Sequence, residues 1–325
     1  MHALATALLA LLITVAPPAF GATTLTLAHA VTPEHPRAKA AQFFADTVKA
    51  LSHGCILVEV LGGASFGDDV AMLKAIQNGS LDITANSQGP VAAIVPEINA
   101  YGLPFLFTAP EQAFRLLDGP LGTQLADRMK QHGFIALGFW DNGIRHFSSN
   151  SRPLLKPADF VGLKIRTPAS PVTVEIVEAL GAQAVPIKFS SLYDALRQGL
   201  VDGQENPLIN VQSAKLYEVQ KYIALTSHKY ETTPLIISQR TWNALSPGDR
   251  EVIKGAAAET TRYQRELTRK MEEDAQQFLV DHGVRIERVD RAPFIAATRK
   301  LYDQWYSRPE GDYVRAVVKA ARSLP

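Results

Sequence analysis

Strand-like and helix-like segments alternate through most of this 325-residue chain, and that alternation limits the fold more than any other feature. Residues 25–30 read as a strand, 38–51 as an amphipathic helix, 56–61 as a strand and 70–77 as a second helix. The order resumes with strands at 134–140 and 162–166, helices at 172–180 and 192–198, and a strand near 222–225. Such a βαβα series predicts an α/β fold in which helices cover both faces of parallel sheets. Ser246 as N-cap and Pro247 at the first helical position open a charged, mostly solvent-facing helix predicted to reach about residue 282. The length exceeds that of an ordinary single domain, so two lobes are expected. No Pro/Gly/Ser linker separates them, which predicts that the chain crosses between lobes more than once.

Residues 1–22 stand apart. The apolar run 4–15 is too short to span a bilayer and leads into Pro17, Pro18 and small residues, the pattern of a signal peptide cleaved after Gly21. No later stretch is apolar and long enough for a membrane span, and the leader holds no cysteine to lipidate, so the mature protein is expected free outside the cytoplasm. Cys55 is the only cysteine and cannot form an internal disulfide; beside Ile56 and Leu57 it is predicted to be a buried small hydrophobe. The formal net charge of +1 supplies no basic surface for nucleic acid. A charged ligand must therefore be met by local groups.

Catalytic patterns are sparse. Gly63-Ala64-Ser65-Phe66-Gly67 matches a nucleophile elbow between a strand and a helix, which makes a secreted α/β hydrolase using Ser65 the alternative reading. Only one convincing strand precedes it, however, whereas an elbow sits after strands that supply an oxyanion-hole loop. The eight histidines form no metal motif of standard spacing, and no glycine-rich phosphate loop is present, so no cofactor is expected.

Binding is better represented. Asn142-Gly143-Ile144-Arg145-His146-Phe147 is followed by Gly162-Leu163-Lys164-Ile165-Arg166-Thr167-Pro168, then by Phe189-Ser190-Ser191-Leu192-Tyr193 and Asp202-Gly203-Gln204-Glu205-Asn206-Pro207. With Pro33-Glu34-His35-Pro36, Gly79-Ser80-Leu81-Asp82-Ile83 and Leu103-Pro104-Phe105-Leu106-Phe107 upstream, these segments resemble the solute receptors of tripartite ATP-independent periplasmic (TRAP) transporters. The resemblance covers essentially the whole mature chain.

It implies a two-lobed periplasmic solute-binding protein fold with a hinge and a long helix in the C-terminal third. Lobe one would hold 23–143 plus 232–271, and lobe two 144–231 plus 272–325. It also implies a monomeric periplasmic receptor that closes on a small organic carboxylate and delivers it to the membrane subunits of a TRAP transporter. Arg166 would anchor the carboxylate through its two-pronged guanidinium. Arg145 would add a second positive group, Asn206 a donor and acceptor, and Phe189 an aromatic face. Glu34, His35, Asn86 and Ser87 are candidates to read the far end of the ligand. Trp140 is expected to pack and Asp141 to serve a local turn. Two departures, Ser191 where many relatives carry Glu and Ala64-Ser65-Phe66-Gly67 where many carry Gly-Gln-Leu-Gly, predict an altered cleft loop.

Overall fold

The computed structural model describes residues 22–324, so the predicted leader lies outside the described residues except for Ala22. Nine strands form one mixed sheet: β1 (Thr23–Ala28), β2 (Ile56–Leu61), β3 (Ile83–Ala85), β4 (Phe134–Ser149), β5 (Lys164–Thr167), β6 (Gln183–Pro186), β7 (Gly203–Asn206), β8 (Tyr222–Ser238) and β9 (Arg285–Arg288). The order is β2-β1-β3-β8-β4-β7-β5-β6, with β9 beside β8.

Two parallel groups sit at opposite ends of an antiparallel spine. β2, β1 and β3 run parallel, as do β6, β5 and β7, but β4 and β8 pair antiparallel over nearly their full length. β3 joins the Leu235 to Ile237 end of β8, and β7 joins the His146 to Ser149 end of β4. The all-parallel prediction is thus corrected. The two spine strands, 16 and 17 residues long, exceed the usual strand length and each serves both ends of the molecule. Bulges between Ala136 and Gly138, Asp141 and Gly143, and Arg145 and Phe147 break the two-residue period, so only 134–140 of β4 and 222–225 of β8 read as strand in the sequence. Gly143 takes φ +105°, and a Cβ there would meet Pro207 at 3.1 Å.

One large apolar cluster, from Ala28 and Met72 to Ile165 and Val172, runs through both ends, and a smaller one sits at each end beside the long helix. Leu25, Phe44, Ile83, Trp140 and Leu235 pack with Ile253 and Ala256 at the start of the long helix Pro247–Asp281. Leu192, Leu208 and Ile223 pack with Ala275 and Leu279 near its finish. Between them the helix turns polar residues inward: Gln264 accepts from Asp141 N at 2.7 Å and donates to Asp141 O at 2.8 Å. One helix therefore spans both clusters along a single buried stripe. The C-terminal helix Gly311–Arg322 packs on residues 96–102 and on helix Pro110–Leu117, which the sequence predicts for the first lobe. Trp140 is buried packing as predicted, and Asp141 Oδ1 accepts from Gly143 N at 2.9 Å as a local turn. Cys55 differs from expectation. It lies exposed in the turn before β2, outside the strand period that buries Ile56.

Candidate carboxylate site between the two sheet ends

Successive residues of β4 point to opposite faces of the sheet, so Asn142 and Arg145 face one cavity while Asp141, Ile144 and His146 face another. The first cavity is small, with about 30 Å³ of free interior, and is walled by residues from both ends of the sheet. Arg166, third in β5, enters from one side with Phe189, whose ring centroid lies 5.9 Å from the Arg166 Cζ. The first helix, Pro36–Leu51, and the start of helix Asp69–Asn78 bring Arg37 and Asp69 from the other.

Arg166 is 3% exposed. Its Nε donates to Ile187 O at 2.8 Å, while neither Nη bonds any other described residue. Burial pulls its pKa down to about 10 despite Glu205 nearby. This is a fixed, buried cation without a direct counter-ion, an arrangement that favours binding of an oxyanion.

Arg145 occupies a different electrostatic position. Its Nε and Nη2 fork onto Glu205 at 2.5 and 2.7 Å, and its Nη1 reaches Glu231 at 2.6 Å. Burial alone would lower its pKa, but these two carboxylates raise it well above the ordinary value. Glu205 and Glu231 are in turn held below the usual carboxylate range: burial opposes this, and Arg145 outweighs it. Lys229 lies 3.3 Å from Glu231, and His228 lies 3.3 Å from Glu205. Arg145 thus lines the cavity with its donors already committed and positions its neighbours. One neighbour is Asn206, whose Oδ1 accepts from Arg145 at 3.1 Å and from Asn210 at 2.9 Å. Asn206 does not cap the next helix. Glu272 on the long helix does so, accepting from Leu208 N and Ile209 N at 2.9 Å each.

The remaining candidates separate. Ser87 lines the cavity and its Oγ accepts from Arg37 Nη1 at 3.3 Å. His35 caps the first helix through Nδ1, leaving its Nε2 to donate to Asn210 Oδ1 at 2.7 Å across the two ends. Burial lowers its pKa to about 3, so it stays neutral. Asn86 lies buried behind the wall and donates to Asp69 O at 2.9 Å. Glu34 is exposed beside a separate groove containing Met271 and Phe278 and does not reach the cavity.

Sequence reasoning missed Arg37, Asp69, Asn142, Asn210 and Glu231. One signal was available: Arg37 puts a cation in the first turn of a helix that has no acidic residue there, against the helix dipole.

The hydrolase alternative is overturned. Ser65 is exposed in a tight turn in which its backbone N donates to Gly62 O, and its hydroxyl bonds no described residue, so it has no activating histidine. The larger groove on the opposite face, about 770 Å³, is open to solvent and lined by exposed charges such as Arg269, Glu266 and Glu273. Water screens charges there, so the smaller, buried cavity is the better site for a charged ligand.

A family model for bacterial extracellular solute-binding protein, family 7, matches residues 27–308. Among curated relatives, an uncharacterised protein, y4mM, of Sinorhizobium fredii is 45% identical over 90% of this chain, which spans 54% of that relative's length. The C4-dicarboxylate-binding periplasmic protein DctP of Rhodobacter capsulatus is 32% identical over 90% of this chain and 89% of its own. Among solved structures, the sugar acid binding protein of Advenella mimigardefordensis in complex with galactonate superposes with a TM-score of 0.90 at 32% identity, over 93% of this chain and 98% of that one.

Proposed function

The chain belongs to the bacterial extracellular solute-binding proteins of family 7, and from that premise we propose that it is a monomeric periplasmic receptor for a small organic carboxylate, which it delivers to the membrane subunits of a TRAP transporter. It binds rather than catalyses. The observation that carries the reading is Arg166: a buried guanidinium with both Nη atoms unpartnered, in a cavity built from two ends of one sheet. A carboxylate there receives two parallel charge-assisted hydrogen bonds away from water. Phe189 flanks it, and Asn206, held by Arg145, presents an amide beside it.

We place the lobes at 23–143 plus 232–271 and at 144–231 plus 272–325, with the C-terminal helix of the second reaching over to pack on 96–102 and 110–117 of the first. The spine supports this division, because Gly143 pairs with Glu231 where β4 is bulged, and bulged ladder is the part of a strand that can bend. Ligand bridging the two walls favours the closed form over the open one. A carboxylate panel followed by thermal unfolding tests the receptor role: a ligand at a hundredfold excess over its Kd raises stability by about 2.7 kcal/mol. Small-angle scattering tests closure. The radius of gyration should fall on adding that ligand, and the Arg166→Ala variant should show no change. An unaltered profile at saturation rejects the closing mechanism.

A further inference from the structure

Three side-chain contacts join the cavity's two walls beside the ligand space. Thr32, in the loop after β1, donates through Oγ1 to Ser213 O at 3.3 Å, and Lys188 pairs with Asp68. Neither is well built to hold the walls shut, since the first bond is long and the second carries an exposed lysine screened by water. The third differs. His35 and Asn210 are both buried and meet at 2.7 Å.

Local geometry sets the direction of that bond. His35 precedes the helix Pro36–Leu51, and its Nδ1 accepts from Arg37 N at 3.0 Å as the cap, so the one proton of the neutral ring sits on Nε2 and is donated to Asn210 Oδ1. Asn210 Nδ2 donates in turn to Asn206 Oδ1 at 2.9 Å, which also accepts from Arg145 at 3.1 Å. The bonds therefore run from a helix start on one wall, through Asn210, to the amide that lines the other. Asn206 and Asn210 belong to the cavity lining, and His35 does not. His35 can act on a ligand only through the position of the walls.

In the open form water takes over the bonds of both groups, whereas in the closed form each is shielded and has the other as its partner. We propose that His35 and Asn210 form a latch on the closed receptor, in which His35 is a positioning residue that sets how long a ligand stays without touching it. The inference rests on the closing of the two lobes proposed above.

Stopped-flow association and release test it on the full chain with galactonate, succinate and any further acid that the carboxylate panel returns. Two variants split the two duties of His35. His35→Ser keeps a helix-capping oxygen and loses the reach to Asn210, whereas His35→Gln keeps a terminal N–H donor at a similar reach and loses the favourable cap. Release from His35→Ser is expected about 5- to 100-fold faster, the effect of stranding a buried amide oxygen, with association within about threefold of wild type because the open form lacks the bond. Release from His35→Gln should stay within about threefold of wild type. Asn210→Ala should also speed release, and joined to His35→Ser the two effects should not multiply, since both remove one bond. Unchanged release in a folded His35→Ser protein, faster release from His35→Gln than from His35→Ser, or multiplying effects in the double variant overturn the latch. A radius of gyration that does not fall with the acid bound overturns the closing mechanism instead, and an empty panel overturns the receptor reading itself.

Discussion

Replacing Arg166 by Lys keeps the charge and removes the fork, which separates geometry from electrostatics at the proposed anchor. The structure fixes the guanidinium through Nε to Ile187 O at 2.8 Å and against Phe189, so both Nη atoms are oriented before ligand arrives. A Lys ammonium can use neither the Ile187 tether nor two parallel bonds. Losing one partner of a desolvated charge pair costs about 2–5 kcal/mol, which is a Kd roughly 30- to 5000-fold weaker. Arg166→Lys is therefore expected within about tenfold of Arg166→Ala by titration calorimetry. The unliganded protein should behave oppositely. Burial lowers the pKa of Arg166 from 12.5 to about 10, so the folded state disfavours its charge by roughly 3 kcal/mol. That cost is fully present below pH 10 and fades only above it. Arg166→Met should consequently leave the ligand-free melting temperature unchanged or raised. Wild-type affinity in the Lys variant, or a lowered melting temperature in the Met variant, would refute the reasoning.

Arg145→Met should instead damage the fold, because it strands buried Glu205 and Glu231; a loss of about 3–5 kcal/mol is expected in urea denaturation. Stability should peak near pH 6.5–7 in urea titrations, since below about pH 6.5 the unfolded chain protonates His29, His35, His146 and His228 while the folded chain resists. Folded Asp141 and Glu272, raised by burial to about 8 and about 7, keep protons that the unfolded chain releases near pH 4, so they lower stability as pH rises toward 8. Above about pH 6.5, where the histidine gain is complete, this loss sets the slope until it ends near pH 8; a monotonic profile would contradict this. Lys188 and Asp68, next in sequence to the cavity-lining Phe189 and Asp69, pair at 2.5 Å, and the Lys188 side chain is 66% exposed. Lys188→Ala should accordingly cost under about 1 kcal/mol and speed ligand release by no more than about fivefold in stopped-flow measurements, an effect that salt removes.

Local rules carried much of the fold. Strand β2 and the long helix were legible nearly to the residue, since apolar period, Ser246 and Pro247 act within a few positions of one another. The family segments marked Arg145, Arg166, Phe189 and Asn206, all of which line the cavity, and Ser87, a candidate for the far end of the ligand, lies on the facing wall. What the sequence by itself could not assign was the charge state of the interior. Arg145 and Arg166 read alike as strand arginines, yet one is neutralised by Glu205 and Glu231 and the other is left open. Those carboxylates lie 60 and 86 residues from Arg145, and no local pattern encodes a pairing at that separation. Asp69 has no local signature either, Arg37 shows only a cation set against its helix dipole, and Glu34, a candidate for the far end of the ligand, faces a separate groove. Only the tertiary structure, by packing the bulged β4–β8 spine so that alternate side chains face different cavities, decided which buried charges cancel and which remains for a ligand.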